Sequence, residues 1–125
     1  MEKKINHLKP SQFYLSASKL AAIEVWLNEE TSRSMDPIII RKIDGVDLIL
    51  DGHSRAFIAF RQGIKQVPVQ YDEEDQCPFY QKCYEEASKR GIISIADLAE
   101  HVLEEQDYQK RWLGYCQSLG ELGDK

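Results

Sequence analysis

Apolar residues fall into short β-branched runs in the first half of the chain and into helical spacings in the second. Ile5 to Tyr14 reads as an extended segment broken by Pro10, whose missing N–H suits an edge or a turn. Ser16 or Ser18 can cap the helix that follows, in which Leu20, Ile23, Val25, Trp26 and Leu27 place most of the bulk on one side. That helix is expected to end near Asn28 to Glu30, with Thr31 to Asp36 as a loop. Pro37 then opens the run Ile38-Ile39-Ile40, suited to a buried strand, and Asp44-Gly45 turns the chain into a return strand from Val46 to Leu50. Ala56, Phe57, Ala59 and Phe60 predict a helix of about three turns stopped near Gly63. Val67-Pro68-Val69-Gln70-Tyr71 predicts a further strand, placed at an edge because of Pro68.

Beyond Asp72 the pattern turns helical. Gln76 to Arg90 predicts one helix closed by Gly91, and Ser94 can cap a second through Ile95, Leu98, Ala99, Val102 and Leu103. A third carries Tyr108, Trp112, Leu113, Tyr115 and Cys116, and the tail from Gly120 is expected to fray. The fold class this implies is α+β: a small mixed sheet with helices over residues 1–75, followed by a helical extension over 76–125 packed on that core as one compact domain. Trp26, Trp112, Tyr108 and Tyr115 stand at helical spacings and are expected in the core or an interface, and His101 on an exposed helix face.

The stretch Leu48-Ile49-Leu50, Asp51-Gly52-His53-Ser54-Arg55, Ala56-Phe57-Ile58-Ala59-Phe60 is a strand that breaks and at once re-forms as a helix. Such a turn gathers unpaired helix N–H groups, three polar side chains and the helix dipole at one point, where an anion is favoured and a phosphate most of all. Gly52 permits a backbone unavailable to other residues, and Arg55 offers a planar fork of donors. The same residues also suit plain turn chemistry, with Asp51 or Ser54 capping the helix and His53 making an ordinary hydrogen bond rather than acting as an acid or base.

The order helix, Pro37-led strand, Asp-Gly hairpin, strand, Gly-x-x-Arg helix and Val-Pro-Val strand resembles the ParB/sulfiredoxin superfamily over about residues 5–72. Gly52-His53-Ser54-Arg55 is similar to the Gly-Cys-His-Arg of sulfiredoxins and the Gly-Glu-Arg-Arg of ParB proteins, and with Asp51 it resembles the Asp-Gly-His-His-Arg of free-serine kinases. The resemblance implies that this turn grips the phosphates of a nucleotide and that Lys19 faces them. Three positions after Lys19, Ala22 replaces a polar family residue, and Trp26 fills the next polar position. His53 stands where the sulfiredoxin cysteine would be, which excludes sulfinic acid reduction through that nucleophile.

Charge narrows the partners. The net charge is -5, distributed as 10 Lys/Arg against 8 Asp/Glu in residues 1–70 and 6 against 13 in residues 71–125. An acidic chain without a basic recognition helix is a poor fit to DNA, and no apolar run approaches the ~20 residues needed to span a bilayer. With no signal-peptide core after Met1-Glu2-Lys3-Lys4, the expected compartment is the cytoplasm. Cys77, Cys83 and Cys116 lack C-x-x-C spacing and are expected to be reduced structural thiols. Asp72-Glu73-Glu74-Asp75 reads as a solvated loop rather than a calcium loop.

The expected function is nucleotide binding through Lys19, Gly52, His53, Ser54 and Arg55, with ATP, ADP or CTP as ligand and magnesium as companion. Phosphoryl transfer to a small molecule would use Asp51 to orient the metal or the acceptor hydroxyl, with His53 as a candidate acid or base. The alternative is a non-catalytic nucleotide-sensing or interaction module, docking a protein partner or forming a homodimer through the helical extension and recognisable by an exposed aromatic patch around Trp112.

Overall fold

Five strands build the central sheet, and each of the strands expected from the sequence is among them. The computed structural model describes residues 1–72 and 78–123. Strands β1 (Glu2–Lys4), β2 (Leu8–Pro10), β4 (Ile38–Ile43), β5 (Val46–Asp51) and β6 (Gln66–Tyr71) lie in the order β1-β6-β4-β5-β2. The pairs β1/β6 and β4/β5 are antiparallel, whereas β4/β6 and β2/β5 are parallel, so the fold is α+β with a mixed sheet. Asp44 and Gly45, both at positive φ, turn the β4/β5 hairpin. A second, two-stranded sheet pairs β3 (Leu15–Ser16) in parallel with β7 (Val102–Leu103).

Helix α1 (Ala17–Trp26) is capped by Ser16, whose side chain accepts from the Lys19 N–H. It ends earlier than the apolar spacing suggests, because Asn28 caps a separate short helix, α2 (Glu29–Ser32), through the Glu30 and Thr31 amides. Val25 and Trp26 are exposed, while Leu20 and Leu27 are buried. Helix α3 (His53–Arg61) lies beside α1, and their C-terminal ends are tied by Gln62 Nε2 donating to the Leu27 carbonyl at 2.8 Å and by an Arg61–Glu24 ion pair.

Strand β6 is interior rather than an edge, and Pro68 is tolerated there for a geometric reason. The neighbouring Val69 N–H donates toward β1, to the Met1 carbonyl, so the N–H that Pro68 lacks would point toward β4. Pairing with β4 begins only at Val69, so no ladder bond is lost. Asp47 ties three strands at the end of the sheet, accepting from the Tyr71 hydroxyl at 2.9 Å and pairing with Lys3 at 2.9 Å.

The C-terminal part is not wholly helical. Helix α4 (Pro78–Lys89) matches expectation and stops before Gly91 at positive φ, with Gln76 and Cys77 outside the described residues, as are Glu73, Glu74 and Asp75 of the acidic loop. The helix expected from Ser94 to Leu103 is only a 3₁₀ turn, Ile95–Glu100, after which the chain becomes β7. His101 therefore sits between elements, half-buried, 5.7 Å from the Tyr14 ring, and its carbonyl accepts the Leu15 N–H. Helix α5 (Glu105–Tyr108) continues through one wider π turn, Gln109–Leu113, into α6 (Gly114–Gly123), which carries the backbone past Gly120, where fraying was expected.

One buried cluster joins both parts: Ile5, Leu8, Phe13, Ile38, Ile40, Ile49, Phe57 and Ile58 pack with Cys83, Ala87, Ile92, Ile95, Leu98, Tyr108 and Trp112. Phe13 is enclosed by the edges of Trp112 and Tyr115, at centroid distances of 4.9 and 5.0 Å, with the Arg90 guanidinium 4.4 Å from its ring centroid. Trp112 is thus a core residue and forms no exposed patch. Cys83 is buried, and burial pushes the half-buried Cys116 thiol up to about 11. No helix among the described residues is long and apolar enough to cross a membrane.

Candidate functional site

The turn between β5 and α3 is built by Gly52. Its φ of 105° and ψ of 19° place it in the left-handed region, and its carbonyl accepts the Ala56 N–H at 2.9 Å to start the helix. A side chain there would stand 2.9 Å from Arg55 Nη2 and 3.0 Å from Ile38 Cγ1, so both conformation and space demand glycine.

Neither Asp51 nor Ser54 caps α3, because Gly52 occupies the N-cap and no side chain bonds the helix start. Of the first four amides of the helix, Ala56 is satisfied by Gly52, whereas those of His53, Ser54 and Arg55 have no acceptor among the described residues. Ser54 is half-buried at the same end, and its hydroxyl has no partner among the described residues. The guanidinium of Arg55 lies across Gly52, with Nη1 donating to the Asp36 carbonyl at 2.5 Å and Nη2 3.7 Å from Asp51 Oδ2. It is 16% exposed, whereas Asp51 is 78% exposed. The turn therefore concentrates donors and positive partial charge, and Asp51 is the flanking carboxylate.

His53 departs from the expected role. It is 4% exposed, and its Nε2 accepts the Ser11 backbone N–H at 3.0 Å. Ser11 is itself held by its hydroxyl, which donates to the Ile49 carbonyl at 2.6 Å. Burial pushes the His53 pKa down to about 3, so the ring is neutral near pH 7. A general base needs an accessible lone pair, and this one is already committed to an amide that cannot release it; the acid or base role does not fit His53.

Lys19 makes no hydrogen bond, ion pair or ring contact with residues 51–55 among the described residues. Its ammonium lies 5.4 Å from the Tyr108 ring centroid, beside the Glu105 carboxylate that accepts from Ser18 Oγ at 2.8 Å and Ser16 Oγ at 3.2 Å. For magnesium, no group of three or more His, Cys, Asp or Glu among the described residues is arranged to hold a metal ion, and Asp51 is the exposed carboxylate beside the turn. That carboxylate suits magnesium only when phosphate oxygens and water complete its shell.

Ser11 escaped sequence reading because its contribution is a backbone amide, which no side-chain pattern signals. The open groove of about 1030 Å³ lined by Lys4, Phe60, Gln62, Gly63, Ile64 and Lys65 also lies elsewhere, at the C-terminal end of α3. A helix of this length separates it from the turn by roughly 13 Å.

No protein-family model matches the chain, and no curated protein matches its sequence. Among solved structures, the crystal structure of protein Atu1540 from Agrobacterium tumefaciens is similar at 13% identity and a TM-score of 0.44, over 74% of this chain and 48% of that one. The chain thus aligns with about half the length of that protein.

Proposed function

We propose that the chain binds the phosphate groups of a nucleotide at the Asp51–Arg55 turn, in the manner of the ParB/sulfiredoxin superfamily that the same residues resemble. The observation that carries this reading is the unsatisfied donor set: the amides of His53, Ser54 and Arg55 and the Ser54 hydroxyl sit at one helix start, beside a guanidinium, with no acceptor among the described residues. Such a set is costly unless water or an anion meets it, and a phosphate meets several donors at once. ATP, ADP and CTP are the candidate ligands. Magnesium would be held by Asp51 together with the phosphates, and it would supply charge neutralisation there. Phosphoryl transfer to a small-molecule acceptor rests on Asp51 alone, since His53 holds no available lone pair.

Titration calorimetry with ATP, ADP and CTP, with and without magnesium, tests the reading. Arg55→Ala is expected to weaken binding by about 10- to 100-fold, the worth of a charge-assisted hydrogen bond. Circular dichroism of the variant keeps this distinct from unfolding. No binding by the wild type, or equal binding by a folded Arg55→Ala, defeats the proposal. Asp51→Asn is expected to leave nucleotide binding in place and abolish its magnesium dependence.

A non-catalytic interaction module is favoured by a different observation. Val25, Trp26 and Phe60, exposed by 87%, 42% and 41%, stand at the joined C-terminal ends of α1 and α3. In that reading nucleotide binds without turnover, and Trp26→Ala abolishes capture of the partner without changing nucleotide affinity.

A further inference from the structure

We propose that His53 is a neutral hydrogen-bond donor of the phosphate site, and that the backbone amide of Ser11 sets which ring nitrogen donates. The inference rests on the phosphate-binding reading of the turn and deepens it, turning an expected acid or base into a ligand-orienting group.

One atom at this turn has no choice of role. A backbone N–H can only donate, and Ser11 N–H lies 3.0 Å from Nε2, so Nε2 must present its lone pair. In a neutral imidazole with Nε2 bare, the proton is on Nδ1. The Ser11 amide is not free to leave, because the side chain of the same residue is anchored on the Ile49 carbonyl in β5. Its Oγ stands 3.4 Å from Nε2, on the same side of the ring. Burial keeps the ring from taking a second proton near neutrality.

Nδ1 is then a donor without an acceptor among the described residues. Covalent geometry keeps it near the start of α3. Nδ1 is the ring nitrogen next to Cγ and stays close to its own backbone, and His53 is the first residue of α3. Nδ1 is not among the fully buried side-chain atoms that lack a partner, so it is not sealed in the core. His53 is 4% exposed, with one ring nitrogen pinned by Ser11 and the other unpartnered among the described residues.

With Nδ1–H added, the turn offers three amides, a hydroxyl, a guanidinium and an imidazole N–H as donors, and of these groups the hydroxyl alone can also accept. The ligand this chemistry selects is a group with acceptors and no hydrogens of its own, the fully ionised phosphoryl group. The tie to Ser11 also couples the site to the segment after β2, so the donor keeps its orientation while that strand stays docked.

The test uses the full chain labelled with ¹⁵N. Long-range ¹H–¹⁵N correlation of the His53 ring is expected to show a proton on Nδ1 and none on Nε2, and the Nδ1–H resonance is expected to move on addition of ADP. Inorganic phosphate is the second arm: movement with both assigns the recognition to the phosphoryl group, and movement with ADP alone assigns it to the nucleotide as a whole, and either supports the donor. Two substitutions separate the nitrogens, since the amide of glutamine overlays Nε2 and that of asparagine overlays Nδ1. His53→Gln is expected to keep the Ser11 tie and the fold but bind ADP about 10- to 100-fold more weakly, the loss of one hydrogen bond to a charged group. His53→Asn is expected to bind within about twofold of wild type while losing stability; if it fails to fold, the ring spectrum and His53→Gln still decide. A proton on Nε2, an Nδ1–H that ignores ADP while calorimetry shows ADP bound, or a His53→Gln chain with wild-type affinity overturns the inference and leaves phosphate binding standing. If ADP, ATP and CTP all fail to bind the wild type, both readings fall.

Discussion

Gly52 and His53, adjacent in the chain, show how a single position can be fixed from two sides. A methyl group at Gly52 would meet Arg55 and Ile38 while holding a left-handed backbone, so Gly52→Ala is expected to lose about 2 kcal/mol or more, read from urea unfolding. His53 makes stability depend on pH. Its pKa is about 3 in the fold and near 6.5 in the unfolded chain, so between those values the unfolded state binds the extra proton. Stability is therefore complete above pH 6.5 and falls as the pH drops through the window, by about 1.4 kcal/mol for each pH unit. Urea midpoints measured from pH 7 to 5 are expected to fall in the wild type and to be flatter in His53→Gln; equal slopes would defeat the assignment. The sequence made Gly52 and Arg55 legible, because their chemistry is intrinsic to the residue type. It hid the fate of His53, because a partner 42 residues away decides it.

At the level of elements, local pattern succeeds where an element satisfies itself and fails where a distant partner claims its residues. The β4/β5 hairpin and α3 carry their own turn and breaking residues and appear where the pattern puts them. The Ser94–Leu103 segment has helical spacing, yet its last residues pair with Leu15 and Ser16, and strand pairing there outweighs propensity. On α1 the pattern merges two faces: Leu20, Ile23 and Leu27 follow an i, i+3, i+7 stripe, whereas Val25 and Trp26 lie about 140° and 240° around from Leu20. What remains at Ser94 is a short turn held by Asp97, whose carboxylate accepts the Ile93 and Ser94 amides, both at 2.9 Å. Asp97→Ala is expected to cost about 1 kcal/mol, measured as a shift in the urea midpoint.

Across the whole molecule, the acidic C-terminal part is welded to the sheet domain through the ring of Phe13. Trp112→Ala is expected to cost about 3–5 kcal/mol and to destabilise both parts together. Tryptophan fluorescence and far-ultraviolet circular dichroism should then report one shared transition; two separated transitions would show independent units. The sequence suggests that the extension packs on the core, since its aromatic spacings need a surface. It does not reveal that the extension lends the sheet side a strand, because a two-residue parallel pair leaves almost no periodicity to read.

The pairing of Leu15 with Val102 has a consequence in time. On a ribosome adding about 5–20 residues per second, Trp112 follows Phe13 by about 5–20 s. Until then one of the best-buried rings of the finished protein has no cover, and the nascent chain displays an aromatic, strand-forming face. Chains halted before residue 102 are the ones expected to engage chaperones or aggregate, and completion of the last helix ends that exposure.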